Sequence, residues 1–567
     1  MTQWRKKMEN KNVLAAVVLS TVIIMMWQFW YGEPVPQNQN QEQVQEQQLK
    51  GDKPLAPAIS QKKIETKLTR SDAINEGDRL IIENKNIKGS ISLTGALIDD
   101  LTLKNYNQEN NSDTKKVILL NPKKYEQAYF LETGWATSGN EIVPDNQSKW
   151  SVKGNKVLSP NNPVTLEWEN GNGLTFIKKF KIDDQYLITV NEEVKNTSTQ
   201  TVSLFHYAQV TRQQKPDVQN FYILHEGLIG VVDESLNEVN YDDVQDKKKG
   251  YTGSKGWVGI TDKYWLTAVV PEKGKNFNAE FVYDKAFKAN YIITDPTVIN
   301  VNQTGSNTSS LFIGAKEVSI VDGYAENLGF HKFDLAIDWG WFHFFTKPLF
   351  FVIDYLFKLS GNFGIAIILL TAAIRLLFFP LANYSFASMA KMKALQPEMQ
   401  RIKDLYKDDK QKIQMEMMSL YKKEKVNPVS GCLPILIQIP FFFAIYKMLF
   451  VTIEMRHAPF YGWIQDLSAP DPTSIFNFFG LIPWDPPSFL MIGAWPIIMG
   501  ITMYVQQKLN PAPPDPIQAK IFAFFPLFLT VLLASFPSGL VIYWSINNVL
   551  TMAQQYVIIK KTKIKTA

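Results

Sequence analysis

The sequence predicts an α-helical polytopic membrane protein with six transmembrane helices and one large antiparallel β-sandwich domain outside the cytoplasm. Apolar residues are concentrated toward the two ends of the chain, in runs of about 19 residues that can cross a hydrocarbon core of about 30 Å. Between these ends the chain is polar, with apolar residues at every second position, as in half-buried strands. Lysine and arginine are enriched in alternate loops, which predicts the orientation of the spans.

The composition argues against several classes of protein. A net charge of +5 over 567 residues is too small to indicate nucleic-acid specificity. The single cysteine, Cys432, rules out an internal disulfide framework, and the five histidines lie too far apart to suggest a metal site. Because the sequence also lacks a phosphate-binding glycine loop and a Gly-x-Ser-x-Gly motif, we expect no cofactor and no enzymatic activity.

The first 80 residues are predicted to form a membrane anchor and a tether. Basic residues at Arg5–Lys7 precede an apolar run at 13–31, which is longer than the core of a signal peptide and has no small-residue cleavage site after it. We therefore expect residues 1–31 to be an uncleaved transmembrane anchor with a cytoplasmic N-terminus. Residues 32–80 are rich in Gln, Asn and Glu and are predicted to be a flexible linker.

Alternating apolar residues predict the β-sandwich at 81–335. Val164, Leu166 and Trp168 share one face of a strand, and the turn sequence Asn170–Gly173 follows them. No acidic pair or histidine cluster marks a sugar or peptide cleft in this segment. A scaffold or partner-docking role is the favoured interpretation.

Residues 340–360 form a predicted amphipathic helix that is rich in phenylalanine. Lys347, Asp354 and Lys358 lie off its apolar side, so the helix is expected to lie in the plane of the membrane interface. The alternative is an ordinary core helix of the sandwich.

Residues 361–382 form the second predicted span, and this span contains Arg375. A guanidinium cannot be neutralised, and at mid-helix it costs about 2.5–3.5 kcal/mol on insertion scales. None of the predicted spans carries an Asp or Glu to pair with it. Two solutions remain open, a side chain that reaches the headgroups and a hydrated cavity within the membrane.

Residues 383–430 are predicted to form a cytoplasmic helical hairpin. Ten Lys or Arg residues against six acidic residues place this loop inside, and apolar residues at helical spacing flank a turn at Asp408-Asp409. Flexible methionine side chains suit a surface that receives varied apolar partners. The predicted substrate-recruiting methionines are Met389, Met392, Met399 and Met417. The alternative is that most of them only hold the hairpin together.

Residues 431–558 supply four more predicted spans, and a basic cytoplasmic tail follows at 559–567. The predicted spans are 433–451, 489–506, 521–536 and 540–558. Polar residues on three of the predicted spans concentrate in the inner half of the membrane. They are Thr371, Gln438, Asn547, Thr551 and Gln554, and Gly431 and Pro434 share the helix face of Gln438. Each alone is usually a helix-packing contact, but several at one depth beside an unpaired arginine favour a hydrated groove open to the cytoplasm.

Four stretches of the chain resemble signature sequences of the YidC/Oxa/Alb family of membrane protein insertases. They are SMAKMKALQPEMQ (388–400), KVNPVSGCLPILIQIPFF (425–442), EMRHAPF (454–460) and FPSGLVIYWSINNVLTMAQQ (536–555). The resemblance covers 339–560, and the anchor with its large outer domain is similar to the Gram-negative YidC form.

This resemblance implies a five-helix core around a hydrophilic groove, with Arg375 at the position of a family arginine. It also implies a hairpin that recruits substrate and a periplasmic β-supersandwich without catalysis. Tyr543 and Trp544 stand where a second tyrosine is common in the family, which leaves open which ring contacts the substrate.

The sequence therefore predicts an insertase and chaperone of the bacterial inner membrane, with both termini in the cytoplasm. Its expected partners are nascent integral membrane proteins and the lipid bilayer. By resemblance, the Sec translocon and its accessory subunits join these partners, and the protein acts alone or with them. The basic hairpin and tail leave a ribosome contact open. The alternative function is a small-solute transporter or channel, which would be expected to show repeats and a midplane site.

Overall fold

The computed structural model describes residues 68–109, 115–218, 224–340, 343–406, 409–424, 426, 433–484, 486–487, 490–510 and 516–561. The predicted anchor (1–31), the linker up to residue 67 and the tail from residue 562 lie outside the described residues. All described residues belong to one compact unit, Ala56–Ala567.

Within the described residues, the first half of the chain folds into twenty strands and three α-helices. The strands are β1 Arg79–Glu83, β2 Ile87–Ser92, β3 Leu97–Asn107, β4 Lys116–Leu120, β5 Tyr129–Thr137, β6 Ser151–Lys153, β7 Val157–Leu158, β8 Val164–Glu169, β9 Leu174–Ile182, β10 Leu187–Asn196, β11 Val202–Arg212, β12 Gly227–Val232, β13 Ser235–Asn240, β14 Lys249–Gly253, β15 Gly256–Thr261, β16 Trp265–Val270, β17 Phe277–Tyr283, β18 Phe287–Ile293, β19 Thr297–Ile299 and β20 Thr304–Ala315. The helices are α1 Arg70–Asn75, α2 Tyr241–Asp246 and α3 Val318–Asn327, and a 3₁₀ turn follows at Phe333–Ala336.

The strands form two sheets that enclose a hydrophobic core. One sheet has the order β14-β17-β18-β11-β5-β3-β2-β1-β7, with β4 on β3 and β19 on β11, and the other has the order β13-β12-β15-β16-β20-β10-β9-β8-β6. Pairing is antiparallel except between β1 and β7, which run parallel. The predicted hairpin at Asn170–Gly173 is confirmed, because β8 and β9 pair across it and Gly171 and Gly173 supply its positive φ angles.

Ordered structure begins before residue 81, inside the segment that was predicted to be a linker. Helix α1 is capped by Thr69, whose side chain accepts a hydrogen bond from the Asp72 N–H. Arg70 joins this helix to the sheet through an ion pair with Asp100 and a 2.9 Å hydrogen bond to Asn121 Oδ1. The composition did not predict this helix, because polar contacts rather than an apolar face hold it in place.

The second half of the chain is helical in the residues described. Its α-helices are α4 His343–Ser360, α5 Phe363–Leu377, α6 Phe379–Ala394, α7 Gln396–Leu405, α8 Lys410–Lys423, α9 Leu433–Val451, α10 Ala494–Leu509, α11 Pro516–Leu533 and α12 Ser538–Lys561. Two 3₁₀ turns, Ile453–Met455 and Ile475–Gly480, precede α10.

The second predicted span is broken into two helices. Helix α5 ends at Leu377, and α6 begins at Phe379 with an axis bent by 69°. Pro380 lies in the first turn of α6, where its missing N–H and its ring are tolerated. Among the described residues, this bent pair is long and apolar enough to cross a bilayer, and no single helix meets that criterion.

The predicted hairpin begins later than residue 383. The C-terminal half of α6 packs on α12, where Phe386 and Met389 meet Ile558. The hairpin itself consists of α7 and α8, and the Asp409 side chain caps α8 by accepting a hydrogen bond from the Lys412 N–H at 3.0 Å.

Helix α4 joins the β domain to the helices of the second half of the chain. Lys347 pairs with Asp322 at 3.0 Å and with Asp334 at 3.1 Å, so the start of α4 is tied to the end of the β domain. At the other end of α4, Phe357 stacks on Phe363 at the start of α5, with ring centroids 3.7 Å apart.

Candidate functional site

Arg375 projects from the last turn of α5 into the space between α9 and α12. Its Nε donates a hydrogen bond to Asn547 Oδ1 at 2.8 Å, and its Nη2 donates to the same oxygen and to Gln438 Oε1 at 3.0 Å. Three helices therefore meet at one guanidinium. The sequence left the headgroups and a hydrated cavity open as surroundings for this cation, and the structure adds two side-chain amides.

The acceptors of Arg375 are neutral. Among the described residues, no Asp or Glu forms an ion pair with this arginine, so its positive charge is solvated but not cancelled. A guanidinium has five N–H donors, and the described partners use Nε and Nη2. Nη1 has no hydrogen-bond acceptor among the described residues and remains available to water or to a bound group.

A cavity surrounds the guanidinium. About 40 Å³ of this cavity is open to the centres of water molecules, which is enough to admit water. The lining residues are Thr371, Ile374, Arg375, Phe378, Leu381, Ala382, Gln438, Phe441, Tyr543 and Asn547. A hydrated polar centre with an apolar rim can bind a charged or polar group while the adjoining apolar chain stays against helices.

Five of the ten residues predicted for the groove meet in this cavity, namely Thr371, Arg375, Gln438, Tyr543 and Asn547. The Thr371 hydroxyl donates to Ile367 O at 2.7 Å and leaves its oxygen as an acceptor. The buried Tyr543 hydroxyl interacts with the Gln438 side chain.

Of the other predicted groove residues, those that the structure describes do not line the cavity. Thr551 lies one turn further along α12, where its hydroxyl donates to Asn547 O at 2.6 Å. Trp544 packs instead on Phe442, with ring centroids 4.7 Å apart. Gln554 lies two turns beyond Asn547 on the same helix, and its buried Oε1 has no hydrogen-bond partner among the described residues. Gly431 and the Pro434 side chain lie outside the described residues.

The apolar rim of the cavity, which includes Phe378 and Phe441, was not predicted from the sequence. Phe441 on α9 and Phe378 at the helix break meet edge to face, with ring centroids 5.4 Å apart. Phe441 lies three residues after Gln438 on one helix, so helical spacing could have identified it. Phe378 could not have been identified in this way, because its position depends on the break between α5 and α6.

Most of the methionines that were predicted to recruit substrate are buried inside the protein. Met389 is buried against α12, and Met399 and Met417 are buried within the hairpin, where the Tyr421 hydroxyl reaches the Met399 sulfur at 3.9 Å. Met392 is half-buried. The exposed methionines of the hairpin are two others, Met415 and Met418, at 60% and 49% exposure. The alternative interpretation, that these methionines hold helices together, therefore fits the three buried ones.

The β domain contains a buried charged cluster that was not predicted from the sequence. Lys178 on β9 and Glu192 on β10 are 3.3 Å apart, and His206 on β11 lies 3.8 Å from the same Glu192 oxygen. Burial opposes ionisation, but Lys178 and His206 outweigh it and lower the pKa of Glu192 to about 2. These residues are 14 or more positions apart, so no local spacing marks the cluster. Among the described residues, no group of His, Cys, Asp and Glu is arranged to hold a metal ion.

The arrangement defines a class of membrane-associated binding protein, with a cationic cavity among apolar helices and a two-sheet domain attached to them. Two family models match the chain, the YidC periplasmic domain over residues 79–352 and the 60Kd inner membrane protein over residues 355–566. The membrane protein insertase YidC of Pelagibacter ubique is 54% identical over 99% of this chain and 100% of the relative. The protein of the same name from Methylorubrum extorquens is 45% identical over 98% and 96%.

The chain belongs to the YidC family of membrane protein insertases. Its predicted function as an insertase without enzymatic activity is thereby confirmed, as is a β-sandwich periplasmic domain attached to a helical C-terminal region. Among solved structures, the chain is similar to an active YidC insertase with its first transmembrane domain resolved, at 18% identity and a TM-score of 0.36, over 84% of this chain and 92% of that one. It is also similar to a galactose mutarotase related enzyme from Lactobacillus acidophilus, at 11% identity and a TM-score of 0.29, over 42% of this chain and 97% of that one.

Proposed function

We propose that the Arg375 cavity receives the polar flank of a nascent membrane segment while the apolar part of that segment moves along α9 and α12 into lipid. The observation that carries this proposal is the solvation of Arg375 by Gln438 and Asn547 without a carboxylate. Among the described residues, the site keeps a full positive charge and an unused pair of N–H donors at Nη1.

The neutral acceptors give the cavity its selectivity. At an effective dielectric of about 20, two unit charges ~4 Å apart attract by ~4 kcal/mol. An Asp or Glu partner would cancel that attraction, whereas amide oxygens stabilise the guanidinium and leave the charge in place. A carboxylate or a backbone carbonyl on a client's flank can therefore replace water at Nη1.

The energy for insertion comes from the client itself. A segment of about 20 apolar residues gains free energy by entering hydrocarbon, and this gain is opposed by the cost of carrying its charged flank across. The cavity lowers that cost because the flank exchanges water for a hydrated, cationic site part of the way across.

The short α5 helix on one side of the cavity supports a locally thin barrier. Helix α5 has 15 residues, which corresponds to about 22 Å, compared with about 30 Å for a typical hydrocarbon core. We propose six spans in total, with the anchor at 1–31 as the first and both termini in the cytoplasm. In this topology the break at Phe378 faces the inner leaflet, and the cavity opens to the cytoplasm and to lipid.

The hairpin is proposed as the first contact for a client, through its exposed methionines rather than its buried ones. Met415 and Met418 on α8 are flanked by lysines and present flexible apolar side chains outside the hairpin core. Contacts with the Sec translocon and its accessory subunits, and with a ribosome at the basic hairpin and tail, belong to the same proposal.

Reconstitution of the full chain into liposomes tests this function. A single-span client with a short acidic flank is expected to become protected from added protease, and empty liposomes should give little protection. Equal protection in the two samples would contradict the proposal. Flux of a small solute through the same liposomes without client insertion would favour the transporter alternative.

A further inference from the structure

We propose that residues 475–484, here called the outer apolar loop, form a lipid anchor that inserts into the outer leaflet at the boundary between acyl chains and headgroups. The inference rests on the orientation given under the proposed function, in which the chain between α9 and α10 lies on the outer side. It concerns a different surface from the Arg375 cavity and a different partner, the bilayer lipid.

The outer apolar loop exposes large apolar side chains and carries no charge. Its sequence is IFNFFGLIPW. The most exposed of its side chains are Phe478 at 62%, Phe479 at 51%, Leu481 at 85% and Trp484 at 46%. A contiguous apolar patch of this kind marks an interaction surface rather than a solvated one.

The backbone of the loop is held in a conformation that turns these rings outward. Phe478 and Phe479 both adopt left-handed conformations, with φ of 50° and 57°, which bulky residues rarely adopt. Hydrogen bonds fix this turn, because the Phe479 N–H donates to Ser474 O at 2.7 Å and the Ile482 N–H donates to Asn477 O at 3.0 Å. Burial of the two rings in lipid gives a physical reason for keeping a disfavoured backbone.

The start of the loop is tied to the segment that leads into α10. The Ile475 N–H donates to Ile492 O at 3.1 Å, and the Ser474 hydroxyl donates to Leu490 O at 2.8 Å. Just before the loop, the buried Asp471 accepts a hydrogen bond from the Trp495 N–H at 2.9 Å. The start of the loop therefore lies beside the N-terminal end of a membrane helix.

The length of α10 sets the depth of the loop. Helix α10 has 16 residues and ends with Lys508 in its last turn. With Lys508 at the inner interface, the helix extends about 24 Å and falls about 6 Å short of the outer edge of a 30 Å core. The loop occupies this missing depth, where the amphipathic ring of Trp484 suits the headgroup level. Lipid is therefore the occupant that the geometry favours over a second copy of the chain.

A fluorescent label on the loop tests the depth. Cys432 is the only cysteine, so a Cys432→Ser chain accepts one label at Leu481→Cys. Two matched labels serve as controls, Asn172→Cys in the exposed turn between β8 and β9 and Phe528→Cys on an exposed position of α11. Each labelled chain is reconstituted into phosphatidylethanolamine and phosphatidylglycerol vesicles that contain lipids with a nitroxide either near the headgroup or near the end of the acyl chain.

The label at 481 is expected to emit at shorter wavelength than the label at 172 and to be quenched most by the nitroxide near the headgroup. The label at 528 should be quenched most by the deeper nitroxide. Emission and quenching at 481 that match those at 172 would overturn the proposal. A blue-shifted label at 481 that neither nitroxide quenches would also overturn it, because protein would then cover the loop. Client insertion is measured in the same vesicles, so a failed anchor and a failed insertase give different results.

Discussion

Asn547 Oδ1 accepts two hydrogen bonds from the Arg375 guanidinium, although 172 residues separate the two positions in the chain. An amide at this position solvates the cation and leaves its charge uncancelled. Exchange of that amide for a carboxylate is therefore the most direct test of whether the charge itself is used.

Asn547→Asp is expected to keep the helices together but to slow insertion of clients with acidic flanks by about tenfold or more, since an adjacent carboxylate offsets ~4 kcal/mol of attraction at an effective dielectric of about 20. Protease protection of matched clients with acidic and neutral flanks measures this effect. Asn547→Leu is the companion variant, and it should lower the melting temperature because it removes an acceptor worth about 1–3 kcal/mol. Unchanged insertion of acidic clients by Asn547→Asp would contradict the electrostatic role.

Arg375→Ala is expected to impair clients with acidic flanks more than clients with neutral flanks. Arg375→Lys keeps the charge but lacks the planar fork that contacts Gln438 and Asn547 together, so it should retain part of the activity. The same liposome assay, with equal amounts of reconstituted protein, compares the variants. Equal losses for the two kinds of flank would indicate that the arginine is only a structural link.

We predict that titration of Glu454 makes the stability of the protein depend on pH. Glu454 lies just after α9 and contacts the start of α3. Its carboxylate accepts the Val318 N–H at 2.9 Å, its second oxygen has no hydrogen-bond partner in the part of the chain that the structure describes, and desolvation by burial raises its pKa to about 7. Because the folded-state pKa lies above the ordinary value of 4.5, the folded state binds the proton more tightly. The resulting stabilisation is complete below about pH 4.5 and is lost as the pH rises to about 7, with a total of up to ~3 kcal/mol.

Thermal unfolding between pH 5 and 8 checks this dependence. The melting temperature of the unaltered protein should fall as the pH rises through this window, and Glu454→Gln should have a flatter profile because the amide can still accept the Val318 N–H. Glu238 also has a pKa raised to about 7, mainly by burial. The contribution of Glu454 is therefore read from the difference between the melting profiles of the unaltered protein and of Glu454→Gln. Parallel profiles would rule out Glu454 as the titrating group.

The hairpin methionines separate into two groups with different expected effects. Met399→Ala and Met417→Ala should loosen the contact between α7 and α8 by about 2 kcal/mol or more each, because both side chains are buried. Faster amide hydrogen exchange in α7 and α8 would report this loss. Met415→Ser and Met418→Ser should leave exchange unchanged and weaken crosslinks from α8 to a stalled nascent chain. The reverse pattern would assign client contact to the buried pair.

Sequence patterns predicted the features that depend on one segment at a time. The alternation at Val164, Leu166 and Trp168 identified a strand, and helical spacing placed Asn547 and Thr551 on one face of α12. An arginine without an acidic partner in any predicted span indicated a polar site, and the cavity at Arg375 lies there.

The features that the sequence did not reveal depend on which segments become neighbours. The sequence placed Gln438 and Asn547 in one groove with Arg375, but it did not reveal that their amide oxygens bind the guanidinium, because the two residues are 63 and 172 positions away from it. The charged cluster of Lys178, Glu192 and His206 arises in the same way, since strands from both sheets contribute to it.

The break at Phe378 places Arg375 at the end of a helix instead of in the middle of one, which changes the backbone dipoles around it. In an unbroken span the cation would lie at mid-helix, where the peptide dipoles on either side of it largely cancel. Because α5 ends at Leu377, the guanidinium instead lies near the carboxyl end of its own helix, where the helix dipole has its negative pole. The break thus offers the cation a partial backbone charge, which eases its retention without a side chain that could compete with a client.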